Sequence, residues 1–146
     1  MEDQQFSVFE NKNVSATEFI DLMVSVGWGS KEDYKASDVM RSFEAYPFIC
    51  HARDNNGRLV GYLSAFSDGA FSTFIGEIVV HPDAQDAGIG AELLSRVEQC
   101  YSGVPIYATP FDDTREFFLK RGYRVPKRVT SVVSKRNAAA GQSVAL

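Results

Sequence analysis

Gly88 and Gly90 stand two apart in the run Gln85-Asp86-Ala87-Gly88-Ile89-Gly90. An apolar stretch, Phe74-Ile75-Gly76-Glu77-Ile78-Val79-Val80, precedes this run, and Ala91-Glu92-Leu93-Leu94 follows it. The order reads as strand, glycine-bearing loop and helix start. A helix start presents backbone N–H groups without intrahelical partners, together with the positive end of the helix dipole. Glycines there keep side chains away, so a phosphate oxygen can approach those groups. The N–H groups of Asp86, Ala87, Ile89 and Ala91 matter more in this reading than their side chains. The sequence points to a diphosphate site. Glu77 is the second chemical residue, the one charge in an otherwise uncharged strand. Desolvation raises a carboxyl's pKa, which suits a general base near neutral pH. A structural role, with the carboxylate bonded to backbone or paired with an arginine, is the competing reading.

The loop lacks the Gly-Lys-Ser/Thr of a P-loop and the third glycine of a dinucleotide fingerprint. The pattern Gln85, Gly88, Gly90 resembles the acyl-CoA loop of the GNAT superfamily of N-acyltransferases. Phe117-Phe118-Leu119-Lys120-Arg121-Gly122-Tyr123 resembles that family's downstream Phe-Tyr-x-x-x-Gly-Phe segment. The two motifs extend the likeness over roughly Tyr46 to Arg124. Val26-Gly27-Trp28, Gly57 to Tyr62 and Ser67 to Phe71 resemble the plastid and bacterial arylalkylamine-type branch. The resemblance implies acetyl-CoA as co-substrate, held by residues Gln85 to Ala91, by the backbone of Val79 and Val80, and by Phe117. It implies Glu77 as the base, since that branch carries an acidic residue there. It also implies an acceptor region bordered by Trp28, Phe71 and Phe74, with Tyr34 nearby; packing in the core is the other role open to these aromatics. Two positions depart from the family: Phe118 replaces the tyrosine that protonates the leaving thiolate, and Phe111 replaces an asparagine that bonds the pantetheine arm. Water or Tyr123 could supply the missing proton, or the thiolate, a good leaving group, departs unassisted.

The elements that must position these residues follow from pattern. Gln5 to Glu10 reads as a first strand. Ser15-Ala16-Thr17-Glu18 is a capping box for a helix with Phe19, Ile20, Met23 and Val26 on one face, stopped by Gly27. Ser37 is expected to cap a second helix with Val39, Met40 and Phe43 inward, ended at Tyr46-Pro47. Phe48 to Arg53 and Arg58 to Phe66 form a hairpin around Asp54-Asn55-Asn56-Gly57. Helix is expected over Gly90 to Tyr101, with Leu93, Leu94, Val97 and Tyr101 inward, and a short strand over Val104 to Ala108. Asp113 is expected to cap a last helix ended by Gly122. Tyr123 to Ser134 reads as a final extended segment. The fold class is α/β, the GNAT fold, with a mixed central sheet of about six strands and about four helices, splayed at the acyl-CoA site. One domain over 1–136 and a disordered tail over 137–146 complete the expectation.

Composition narrows the function. The 146 residues carry 45% hydrophobic and 23% charged side chains, as a globular domain does. A net charge of −4 argues against a general nucleic-acid binder, and no apolar run reaches membrane-span length. Late basic residues (Lys120, Arg121, Arg124, Lys127, Arg128, Lys135, Arg136) form either a solvated edge or partners for the CoA phosphates. His81 reads as a turn residue beside Pro82, and His51 as structural. With Cys50 and Cys100 isolated and read as free thiols, no metal site is expected. The acidic polar start is not a signal peptide, so the expected location is the cytoplasm. The function expected is transfer of an acetyl group from acetyl-CoA to a primary amine, a small molecule, by direct attack. A non-catalytic acyl-CoA-binding module and a protein N-terminal or lysine acetyltransferase are the alternatives. A homodimer remains open.

Overall fold

The computed structural model describes residues 5–137, which divide into two compact units between Ala108 and Thr109. The first unit holds one mixed sheet of five strands in the order β1-β2-β3-β4-β5: β1 Phe6–Phe9, β2 Phe48–Asp54, β3 Leu59–Ser67, β4 Thr73–Val80 and β5 Ile106–Tyr107. Neighbours β1 to β4 pair antiparallel, and β4 pairs with β5 in parallel. Its helices are α1 Ala16–Ser25, α2 Ala36–Ala45 and α3 Ile89–Cys100.

Strand alternation sends successive side chains to opposite faces. Ile49, Tyr62 and Val79 face α1 and α2, where they join Phe19, Leu22, Met23, Val39 and Phe43 in one buried cluster. The other face carries α3. There Gly61 admits Ile89 and Leu93 so closely that an added Cβ would lie 2.7 Å from Ile89 Cγ2. The Cys50 thiol, on the same face, reaches the Leu93 carbonyl. Both cysteines are free, Cys50 buried and Cys100 exposed.

The capping box at α1 is formed: Glu18 N–H donates to Ser15 Oγ, and Ser15 N–H to the Glu18 carboxylate. Glu18 also pairs with Arg53 at 2.6 Å, tying α1 to the β2–β3 hairpin. Gly27, at φ +81°, follows the end of α1. Two local expectations fail at α2. Lys35, not Ser37, occupies the cap position, and Met40 is 43% exposed because Val39 and Phe43 alone turn inward.

The second unit contains α4, Arg115–Leu119. Its cap position is Thr114 rather than Asp113, without a capping side chain. Phe118 is buried against Phe117 and Tyr123, and the Arg121 guanidinium lies 3.9 Å over the Phe117 ring. The expected strand over Tyr123 to Ser134 does not form: no ladder pairs it among the described residues, and its valines 125, 129, 132 and 133 are exposed. Pro126 removes a donor at its start and Lys127-Arg128 keep the segment polar. The sheet therefore has five strands where about six were expected. Of the proposed tail, all but Asn137 lies outside the described residues.

Candidate active site

Strand β4, which holds the expected site residues Glu77, Val79 and Val80, pairs incompletely. Its ladder to β5 covers only Thr73↔Ile106 and Phe74↔Tyr107. From Ile75 to Val80 its outer edge has no strand partner among the described residues, because β5 ends at Tyr107. A register shift against β3 lies on the same stretch: Ser64 faces Glu77 and Ala65 faces Ile75, leaving Gly76 as the extra residue of a bulge.

Backbone direction follows from the observed bonds. Glu77 N–H turns to β3, reaching Ser64 Oγ at 3.2 Å, and His81 N–H bonds the Val60 carbonyl. Alternation then turns Ile78 and Val80 to the open edge and Val79 toward β3. Of the pair Val79 and Val80, only Val80 offers its backbone outward, and Ile78 joins it. Val79 is 4% exposed and packs in the core. Gln85 folds back over this strand end, its side-chain N–H donating to the Val80 carbonyl at 3.2 Å.

Beyond the strand, His81 caps a short 3-10 turn, Pro82–Ala84: its Nδ1 accepts from Asp83 N–H. This is the turn role read from the sequence. The chain then enters α3 through Asp86 at φ +65° and Gly88 at φ +88°. Gly88 is the cap residue of α3 and offers no side-chain bond to the first turn. The first backbone bond across it is Glu92 N–H to Gly88 carbonyl, so the N–H groups of Ile89, Gly90 and Ala91 lack a backbone acceptor within α3. A Cβ built on Gly88 meets nothing within 4 Å, so the space before the helix start is open. Gln85, Asp86 and Ala87 are exposed, while the Ile89 side chain is buried against the sheet.

Glu77 lies on the α1–α2 face, half-buried. Its carboxylate accepts from the Ser64 hydroxyl and, at 3.4 Å, from the Tyr46 phenol. No ion pair among the described residues involves it. The arginine partner of the structural reading is thus absent, and hydroxyl donors stand in its place. The Tyr46 ring crosses Gly76, where an added Cβ would lie 2.8 Å from Tyr46 Cε1 and Cζ. Burial first, and the Glu77 charge second, raise the pKa of Tyr46. The same two causes raise that of Tyr62, whose hydroxyl is buried. Tyr34 donates to the Trp28 carbonyl and is likewise held protonated by burial.

Of the aromatic residues expected at an acceptor region, Trp28, Phe71 and Phe74 are exposed, whereas Tyr34 packs edge-on against Phe19 at the border of the core. Phe71 is 82% exposed on the β3–β4 loop, and Trp28 lies at the surface after α1. Phe74 is half exposed and stacks on Tyr107 at 5.2 Å. Phe74 also faces Phe66 in the ladder, and Phe66 packs 4.1 Å from Tyr46. A row of aromatic rings thus runs across the sheet beside Glu77. Sequence reading missed Tyr46, Ser64 and Phe66, because their approach to Glu77 depends on hairpin register and on the bulge. Phe117 sits in the second unit, under Arg121. His51 is structural: it is 2% exposed, stacked on Phe9, with Nε2 2.7 Å from Asn11 Oδ1, and burial depresses its pKa to about 4. Among the described residues no group of three or more His, Cys, Asp or Glu is placed to hold a metal ion, and no helix is long and apolar enough to cross a membrane.

Comparison with known proteins gives this geometry a context. Residues 47–125 match the model of the acetyltransferase (GNAT) domain. An N-acetyltransferase called ycf52 from the red alga Pyropia yezoensis is 30% identical over 118 residues, covering 77% of this chain and 67% of that protein. GCN5-related N-acetyltransferase 3, chloroplastic, of Arabidopsis thaliana is 35% identical over 72 residues, 47% of this chain and 30% of that one. The chain spans about two thirds of the length of its algal relative and less than a third of the plant protein. A GNAT family acetyltransferase from Streptococcus pneumoniae superposes with a TM-score of 0.72 at 18% identity, covering 91% of this chain and 99% of that one. The GNAT family N-acetyltransferase YhbS of Escherichia coli, in complex with CoA, gives 0.65 at 13% identity, covering 86% and 72%. These structural likenesses establish the shared fold.

Proposed function

The chain belongs to the GNAT family and is an N-acetyltransferase of that type, and we propose that it moves an acetyl group from acetyl-CoA to a small primary amine. The carrying observation is the continuity of three features: the unpaired outer edge of β4, the open glycine start of α3 at its end, and the Glu77 carboxylate at the bulge along it. A diphosphate at the α3 start would meet the N–H groups of Ile89, Gly90 and Ala91, with Gln85 beside it. The pantetheine arm would add to the open edge in strand fashion, bonding the backbone of Ile78 and Val80. Four residues of strand, about 13 Å at about 3.3 Å per residue, lead from Val80 to Gly76. That path brings a thioester to the bulge.

Glu77 would take a proton from the acceptor ammonium, because a protonated amine has no lone pair for attack. The neutral amine adds to the thioester carbonyl, and outward N–H groups of β4 polarise that carbonyl. The amine stays small in this reading because Tyr46, Ser64 and Tyr62 crowd Glu77 on the sheet face. Two free cysteines support a reducing compartment, and the cytoplasm is the location proposed.

The test is a panel of primary amines with acetyl-CoA, followed by free-thiol release. Turnover with a small amine supports the proposal. Turnover only with peptides would move the acceptor to protein N-termini or lysines. Tight CoA binding without turnover on any acceptor would make the chain an acyl-CoA-binding module and refute the proposal.

A further inference from the structure

We propose that Tyr46 is the acid that protonates the departing CoA thiolate, and that Glu77 resupplies its proton. The inference rests on the acetyl-transfer reading above. It answers a gap left by Phe118, a buried hydrocarbon ring with no proton to give.

Three tyrosines feel the charge of Glu77: Tyr34, Tyr46 and Tyr62. Their placement separates them. Tyr62 is 0% exposed in the core under α1 and α2, so its hydroxyl reaches no ligand. Tyr34 directs its hydroxyl to the Trp28 carbonyl and not to Glu77. Tyr46 alone is half-buried and directed at the carboxylate, with its oxygen 3.4 Å from Glu77 Oε1. Its position is held from three sides. Its backbone N–H bonds the Ser42 carbonyl at the end of α2, Pro47 follows it, and its ring packs on Phe66.

Gly76 makes the approach possible. A side chain at that position would run into the phenol, so glycine lets the Tyr46 hydroxyl lie against the backbone at the bulge. The bulge is also where β4 carries an unpaired outer edge. The phenol therefore stands at the point that a thioester laid along that edge would reach. Ser64 holds the carboxylate in place by donating to Oε2 and accepting from the Glu77 N–H. The titratable groups that share this part of the face are Glu77 from β4, Tyr62 from β3 and Tyr34 from the α1–α2 connection, with exposed Asp33 acting on Tyr34 alone. None of the described ion pairs brings a lysine or arginine to Glu77. Burial and the carboxylate keep the Tyr46 phenol protonated at neutral pH.

The proton count closes. Glu77 takes one proton from the acceptor ammonium. The amine nitrogen bonds to the thioester carbon, and the C–S bond breaks with its electron pair on sulfur. The Tyr46 hydroxyl gives its proton to that sulfur and receives the one held by Glu77. The second nitrogen proton leaves to solvent, giving amide and neutral thiol with both side chains restored.

The test reads the leaving group directly. Free CoA is bound to the full chain, and its thiol is titrated by the ultraviolet absorbance of the thiolate. In the wild-type protein the Tyr46 hydroxyl is expected to hydrogen-bond the thiolate once it forms, so that the bound thiol titrates at a pH about 1 lower than in Tyr46→Phe, with CoA affinity by calorimetry equal within about twofold. Thiol release in the amine assay should fall about 100-fold in kcat for Tyr46→Phe, the low end for acid–base groups. KM for acetyl-CoA should stay unchanged. Equal thiol titration in the two proteins, or full kcat in Tyr46→Phe, overturns the inference and leaves acetyl transfer standing. Failure of the wild-type protein to bind CoA overturns both.

Discussion

Gly88→Leu separates backbone strain from ligand loss, because Gly57 supplies a matched control. Both glycines hold positive φ, +88° and +79°, and an added Cβ meets nothing within 4 Å at either site. The strain of an L-residue in this region, about 1–2 kcal/mol, is therefore common to both substitutions. In a chain of this size it lowers Tm by about 2–8 °C at roughly 2–4 °C per kcal/mol. Only Gly88 stands at the open start of α3. A leucine there fills the space before the free N–H groups of Ile89, Gly90 and Ala91. Loss of two bonds from backbone N–H to a charged phosphate, about 1.5–3 kcal/mol each, weakens CoA by roughly 150- to 25,000-fold. Gly57 lies in the β2–β3 turn, where its N–H bonds the Asp54 carbonyl. Gly57→Leu should show the same loss of Tm with CoA affinity unchanged. Calorimetry with CoA and thermal melts on the three proteins decide the matter. If folded Gly88→Leu binds CoA as the wild type does, the diphosphate lies elsewhere. If Gly57→Leu weakens CoA equally, the effect is general strain and the argument from open space fails.

Glu77→Gln keeps the shape of the carboxylate and removes its basicity, so kcat should fall about 100-fold near neutral pH and less at high pH, where free amine is plentiful. CoA affinity should not change; an unaltered rate and pH profile with a verified amine would show the carboxylate to be structural. Gly76→Ala forces a methyl against the Tyr46 ring and should cost about 1–3 kcal/mol. In a Tyr46→Ala background the same methyl should cost less, and equal losses in melts of both pairs would sink the contact. Acid should destabilise the fold in two stages. His51 is neutral in the fold, with its pKa depressed to about 4 from 6.5. Its contribution, roughly 3 kcal/mol, is complete above pH 6.5 and lost as pH falls toward 4. Glu18, held down to about 2 from 4.5 chiefly by its bond to Arg53, is fully stabilising above pH 4.5 and loses that effect as pH falls toward 2. Tm measured against pH should therefore decline from 6.5 downward. His51→Gln should flatten the upper stage, and a wild-type curve level between pH 6.5 and 4 would contradict the assignment.

The strand ending at Val80, the loop with Gly88 and the helix beginning at Ile89 were legible from residue types, because each rests on neighbours in the chain. A left-handed φ calls for glycine, a capping box needs residues three apart, and an apolar run declares itself. Glu77 stood out for the same reason, as one charge in such a run. Local rules misled where signals were weak. Ser37 offered a cap that Lys35 occupies instead, and valines after Pro126 suggested a strand that finds no partner.

What surrounds Glu77 was decided by tertiary structure. Tyr46 lies 31 residues away and Ser64 lies 13 away. Ser64 meets the carboxylate only because the bulge at Gly76 shifts the register of β4 against β3. An inserted residue reverses which side chains share a face, and alternation in sequence does not say where it falls. The open edge of β4 is likewise a property of two strands, since it exists because β5 pairs for two residues and stops. Sequence alone determined the pieces that bind and the carboxylate that could act. The register of the folded sheet determined which hydroxyls stand beside that carboxylate, because register is set by packing between segments far apart in the chain.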